Sequence, residues 1–204
     1  MQAHVRVKIC GITRPEDGRM VEAAGAQAIG INFAPRSKRR VSPSVAAEIL
    51  AVVGPLVTVV GVFVDAPLEE LLATVRRLRL GAVQLHGEEP PGYAAAVRGE
   101  VPVIRALPFV RAMTPESLAD YPADAFMLDA PVPGSGEAFD WSQAGAWKGH
   151  PRLILAGGLT PETVARGVRA LRPYAVDVAS GVESAPGLKD PERVAAFVRA
   201  AQDA

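Results

Sequence analysis

Two hydrophobic periods alternate along the whole of this chain, and that alternation restricts the fold more than any other feature. Short β-branched runs occur at residues 5–9, 28–33, 57–62, 82–85, 101–106, 125–128, 153–156 and 175–178. Each has the length of a buried strand. Between them lie stretches with the spacing of amphipathic helices, at 16–24, 44–53, 68–80, 162–171 and 191–201, and two shorter ones at 114–120 and 140–148. Ser42, Thr114, Thr160 and Asp190 each precede a proline, a pairing of cap residue and first-turn proline that marks a helix start. Regular βα alternation demands a parallel sheet with helices outside. About eight units of roughly 25 residues close such a sheet into a (β/α)8 TIM barrel. The rival, an open doubly wound sheet, uses fewer strands and often carries a glycine fingerprint in its first βα turn. Here that turn reads Cys10-Gly11-Ile12-Thr13. No composition shift or linker interrupts the pattern, so residues 1–204 are expected to form one α/β barrel domain.

Bulk properties narrow the function classes. Lys plus Arg and Asp plus Glu both number 22, so no overall field draws the chain to nucleic acid or to an anionic membrane. Any anion site must be local. Cys10 is the only cysteine, which forbids an internal disulfide and fits a reducing compartment. The first ten residues lack a charged stretch followed by an apolar segment and cleavage site, so a cytoplasmic location is expected. The apolar run 52–64 is too short to span a bilayer and is broken by Gly54 and Pro55.

A barrel enzyme works at the C-terminal ends of its strands. Alternation places Val5, Val7 and Ile9 toward the helices and Arg6, Lys8 and Cys10 toward the axis. Cys10 ends the first strand, where it is either a small buried hydrophobe or, with Lys8 favouring the thiolate, a base. Asp129 ends the sixth strand. It is either a loop cap or a carboxyl whose pKa is raised by its apolar surroundings, and so a proton donor near neutrality. Asp177 is in phase with the interior of the eighth strand and reads as a partner for Lys8 or Arg6. Strand seven runs into Gly157-Gly158 and strand eight into Ser180-Gly181, loops that in barrels bind phosphate through backbone N–H groups. The segment Arg36-Ser37-Lys38-Arg39-Arg40 supplies four cations. It is solvated loop unless one arginine reaches inward to hold a carboxylate; lacking aromatic platforms, it does not read as a nucleic-acid patch. His86 ends strand four and either reaches the pocket or is structural. His4 and His150 look peripheral, and no cluster of histidines and carboxylates marks a metal site.

These residues carry a resemblance that covers nearly the whole chain. Lys8-Ile9-Cys10-Gly11-Ile12-Thr13, the segment 33–41, Gln84-Leu85-His86-Gly87, Leu128-Asp129, Phe139-Asp140-Trp141, Leu155-Ala156-Gly157-Gly158-Leu159 and Val176-Asp177-Val178 with Ser180-Gly181-Val182-Glu183 resemble phosphoribosylanthranilate isomerase, the barrel enzyme of tryptophan biosynthesis. The resemblance implies an Amadori rearrangement of N-(5-phosphoribosyl)anthranilate, with no cofactor. It implies Cys10 as base, Asp129 as acid and Arg39 as the arginine that binds the substrate's carboxylate. Residues 133–137 depart from the family's usual paired glycines and threonine, which leaves the contacts of the sixth loop open. Some relatives form dimers, so a homodimer is an arrangement the resemblance allows. Related readings are the phosphosugar isomerase of histidine biosynthesis, which relies on paired aspartates, an indole-forming synthase, and a barrel that senses a phosphorylated metabolite without turnover.

Overall fold

The computed structural model describes residues 4–130 and 140–204. Eight parallel strands close on themselves: β1 (Arg6–Cys10), β2 (Ala28–Asn32), β3 (Thr58–Phe63), β4 (Ala82–Leu85), β5 (Val103–Pro108), β6 (Ala125–Asp129), β7 (Leu153–Leu155) and β8 (Ala175–Val178), with β8 pairing back onto β1. Outside them lie α1 (Pro15–Ala23), α2 (Pro43–Leu50), α3 (Leu68–Leu78), α4 (Pro91–Arg98), α5 (Val164–Leu171) and α6 (Pro191–Gln202). The barrel expected from the alternation is therefore the architecture found.

Period-2 alternation sorts the strand residues into two shells. Outward-facing Val7, Ile9, Ile29, Ile31, Val83, Leu85, Leu128 and Val176 are essentially fully buried beneath the helices, together with Leu71, Val97 and Phe197. Burying a side chain of this size stabilises by about 1.5–3 kcal/mol. The inward shell is narrower and uses smaller groups: Ala106, Ala125, Ala156 and Ala175 pack with Met127 and Ile154. In the same inward shell Lys8 lies in register with Asp177, and their Nζ and Oδ1 are 2.7 Å apart. A charged pair thus fills the barrel's centre. Arg6 shares this inward phase at the barrel's floor, where its guanidinium lies 4.4 Å from the centre of the Tyr174 ring.

Helix starts follow their caps unevenly. Ser42 accepts from Val45 N and Asp190 from Arg193 N, as their sequence context suggests. Thr160 does not cap α5, which begins at Val164 after a turn in which Thr163 Oγ1 accepts from Thr160 N. The two short segments are 3-10 turns at Glu116–Leu118 and Trp141–Trp147, the latter capped by Asp140 and interrupted by a non-helical Ala144. After β8 a 3-10 turn, Ser180–Val182, leads into a hairpin of β9 (Glu183–Ala185) and β10 (Leu188–Lys189) that the hydrophobic pattern did not suggest. Among the described residues no helix is long and apolar enough to cross a membrane.

Candidate active site

At the C-terminal ends of the strands lies a cavity of about 860 Å³, lined by Cys10, Asn32, Arg39, His86, Asp129 and Asp177 among others. A smaller hollow of about 80 Å³ adjoins it, lined by Gly157, Gly158, Ser180 and Gly181 and sharing Asp129 and Asp177 with its neighbour. Every site residue suggested by the sequence lines one of these two spaces. The segment 133–137 and Phe139 lie outside the described residues.

Cys10 is the last residue of β1, and its register partner on β2 is Gly30. A Cβ at position 30 would sit 2.7 Å from the Cys10 sulfur and 3.1 Å from Lys8 Nζ. Glycine there leaves room for a thiol beside an ammonium. The electrostatic balance differs from the sequence expectation. Burial pushes the Cys10 thiol up by more than Lys8 and Lys189 pull it down, so the net shift is upward. Lys8 acts in the expected direction but does not prevail over desolvation.

Asp129 ends β6 with its Oδ1 accepting from Ala130 N at 2.7 Å. Its carboxyl is raised above the usual range, chiefly by burial, against the opposing pull of His86 and the Ala130 N–H. The direction is the one expected of a carboxyl closing an apolar strand. His86 stands 3.5 Å away, Nε2 to Oδ2, and burial is the main reason its own pKa is lowered.

The clamp that positions His86 was not anticipated. Glu89, buried in the loop after β4, accepts from the backbone N–H groups of Asp65 and Gly87 and from Arg105 Nη1 at 2.6 Å, fixing the turn that follows His86. Gln84, one inward position before His86, was also missed as a functional residue. Its Oε1 accepts from Lys8 Nζ at 3.0 Å and its Nε2 lies 3.3 Å from His86 Nδ1. The only sequence signal was an amide amid the apolar run Ala82-Val83-Gln84-Leu85; buried amides require partners.

Of the four cations after β2, Arg36, Lys38 and Arg40 are exposed and Arg39 turns inward. Its side chain crosses Gly11, whose positive φ of 76° and missing Cβ admit it. Arg39 Nε and Nη2 each donate to Glu183 at 2.7 Å, while Lys189 Nζ donates to the same carboxylate at 2.9 Å. Burial raises the Glu183 carboxyl, but Arg39 and Lys189 outweigh it and hold the group below its ordinary range. Among the described residues Arg39 Nη1 has no partner. The hairpin carrying Glu183 and Lys189 is therefore part of the site wall.

In the small hollow, Gly157 and Gly158 have φ of 78° and 65°. A Cβ at Gly157 would run into the Ala130 backbone, and one at Gly181 into the Leu159 carbonyl. These turns need glycine for conformation and for close approach. Away from both spaces, His4 is exposed and bonds Gln202 O, and His150 packs against Trp147.

The geometry is that of a barrel with a cavity lined by titratable side chains and an adjoining glycine-lined recess, and known proteins share the barrel. The family model described as N-(5'phosphoribosyl)anthranilate (PRA) isomerase matches residues 7–200. An N-(5'-phosphoribosyl)anthranilate isomerase of Geobacter sp. (strain M21) is 48% identical, over 97% of this chain and 98% of the relative. The crystal structure of phosphoribosyl anthranilate isomerase from Thermus thermophilus superposes with a TM-score of 0.90 at 50% identity, covering 96% of this chain and 98% of that one. A phosphoribosyl anthranilate isomerase solved in complex with reduced 1-(o-carboxyphenylamino)-1-deoxyribulose 5-phosphate superposes with a TM-score of 0.88 at 39% identity, over 98% and 100% of the two chains. Since the match runs from β1 into α6 and takes in both spaces at the rim, this chain belongs to the N-(5'-phosphoribosyl)anthranilate isomerase family.

Proposed function

We propose that this chain carries out the family's rearrangement of N-(5'-phosphoribosyl)anthranilate with Asp129 as general acid and Cys10 as general base. One observation carries the assignment: the two groups come from strands far apart in the barrel, β1 and β6, yet line one cavity. Asp129, whose carboxyl burial raises above its usual range, gives its proton to the furanose ring oxygen. The C1–O bond breaks, and the anthranilate nitrogen supplies the electron pair that forms the C=N⁺ bond. The iminium makes the C2 proton acidic, and the Cys10 thiolate removes it. The resulting enolamine tautomerises to the ketone. Ketonisation moves the C2 hydroxyl proton to C1, and the proton that Cys10 takes offsets the one that Asp129 gives, so the rearrangement needs no oxidant or reductant.

Arg39 holds the anthranilate carboxylate, with Nη1 as the donor left over from its contact with Glu183. The N–H groups around Gly157, Gly158, Ser180 and Gly181 hold the phosphate. His86 borders the reacting end beside Asp129. We place the whole of residues 1–204 in one domain working in the cytoplasm, where a lone thiol stays reduced. A Thermotoga maritima relative is described as dimeric, and a homodimer is proposed here as well. Leu56, 93% exposed beside a hollow at the barrel's floor, supports that reading.

The deciding assay follows the fluorescence of freshly generated phosphoribosylanthranilate. Purified protein should abolish it with turnover, and the Cys10→Ala and Asp129→Asn variants should lose most of that rate while retaining the fold. Binding without decay would instead identify a sensor.

A further inference from the structure

A line of polar side chains crosses the barrel interior beneath the cavity, and the donors and acceptors along it leave only one pattern. Lys8, paired with Asp177 at 2.7 Å, is an ammonium and can only donate. The atom of Gln84 that faces it at 3.0 Å must therefore be the carbonyl oxygen. That choice turns the Gln84 NH2 toward His86 Nδ1 at 3.3 Å, and an amide NH2 can only donate. His86 Nδ1 must accept, so the proton of the neutral ring sits on Nε2. Nε2 is buried without a hydrogen-bond partner, and the nearest carboxylate oxygen is Asp129 Oδ2, 3.5 Å away.

We propose that the Lys8–Gln84–His86 chain is a positioning device for Asp129: it fixes His86 as the neutral Nε2–H tautomer, whose N–H receives the carboxylate that Asp129 becomes after giving up its proton. This rests on the reading of Asp129 as general acid. Before transfer the neutral carboxyl holds Ala130 N–H through Oδ1, and the 3.5 Å gap leaves the His86 donor idle. After transfer both oxygens face a donor, Ala130 N–H on Oδ1 and His86 Nε2–H on Oδ2. The developing charge is met by dipoles already in place. A doubly protonated His86 would set Nδ1–H against the Gln84 NH2 and would hold Asp129 ionised in the resting site, so the device also guards the acid's proton. The titratable and charged groups facing His86 are Asp129 from β6, Asp177 from β8, Lys8 from β1 and Glu89 from its own loop. Their opposing signs leave burial as the largest influence on the ring.

The test reads the tautomer directly. In uniformly 15N-labelled protein at neutral pH, long-range proton–nitrogen correlations of His86, assigned by their loss in His86→Gln, should show a protonated Nε2 and a bare Nδ1. A ring protonated on Nδ1, or on both nitrogens, overturns the proposal. Gln84→Glu places an acceptor against Nδ1 and should move a proton onto it, with kcat falling by at least ~tenfold and KM changing far less. His86→Gln keeps a neutral N–H donor near the Nε2 position and should retain within ~tenfold of the activity, whereas His86→Leu should fall by ~100-fold or more. Equal losses in those two variants would also sink the idea, and neither needs Gln84→Glu to fold. A wild-type enzyme without turnover would refute the isomerase assignment while leaving the tautomer spectrum readable, so the two failures are distinct.

Discussion

The same eight strands end in two different mouths. At their C-terminal ends they converge on Cys10, His86, Asp129 and Asp177, around a cavity of about 860 Å³. At their N-terminal ends they leave a hollow of about 720 Å³ lined by Arg6, Thr58, Ile104, Asp124, Arg152 and Tyr174. Volume does not separate the two; the state of the charges does. On the floor, Asp124 is shared by Arg98 at 3.0 Å and Arg152 at 3.7 Å, with both arginines exposed, and Arg6 lies on the Tyr174 ring. Such solvent-screened pairs contribute about 0–1 kcal/mol each. At the rim, burial pushes Cys10 and Asp129 toward their neutral forms and lowers His86. Proton-transfer capacity comes from desolvation at one mouth and is absent from the other because water reaches its charges.

The sharpest way to break this contrast is to remove one ionisable group at each end. Asp129→Asn or Cys10→Ala should lower kcat by ~100-fold to 10,000-fold, whereas Arg6→Ala should leave it within about twofold. Comparable losses in steady-state kinetics would mean the floor takes part in the chemistry. Next in size is Lys8→Met, which strands Asp177 as a buried uncompensated charge. It should cost about 3–5 kcal/mol in urea unfolding, against under 1 kcal/mol for Arg152→Ala.

The pH profile sharpens the same point. Turnover needs Asp129 protonated and Cys10 ionised, and both groups titrate above their ordinary values. With the thiol's pKa the higher of the two, each pH unit between them gains tenfold in thiolate and loses tenfold in carboxylic acid. The expected kcat/KM profile is a flat plateau between the two titrations, with an acid limb from Asp129 and an alkaline limb from Cys10. A sharp maximum at neutral pH would contradict that ordering.

Smaller effects follow at the hairpin and the floor. Glu183 is held below its ordinary range, so its pairing stabilises the fold above the usual carboxylate range, and that contribution is lost as pH falls through the depressed value. Glu183→Gln should remove this acid-side dependence and shift KM more than kcat, because Arg39 loses the support that orients it. Leu56→Glu should leave kcat unaltered and lower the sedimentation coefficient if two copies meet at the floor.

Much of the barrel was legible because strand period, helix caps and glycine turns are local signals. The phase that put Lys8 and Cys10 inward follows from alternation alone, and Asp129 stood out as a carboxyl closing an apolar strand. What escaped notice was set by pairing over distance. Arg39 and Glu183 meet across 144 positions, and Lys8 and Gln84 across 76; no periodicity encodes such meetings. The β9–β10 hairpin is too short for a hydrophobic pattern. The Cys10 shift was missed for another reason: a neighbouring cation is visible in the sequence, but the degree of desolvation that opposes it is not.

Gly30 carries a consequence for how this site can change. The sulfur at position 10 and the ammonium at position 8 occupy a space that exists because strand β2 lacks one carbon atom there. Positions 10 and 30 therefore share a fixed volume, and neither is free to grow alone. Gly30→Ala should displace the thiol by several tenths of an ångström and slow the reaction without removing any catalytic group. A bulkier base at position 10 could be accommodated only by drawing on the room that the glycine leaves.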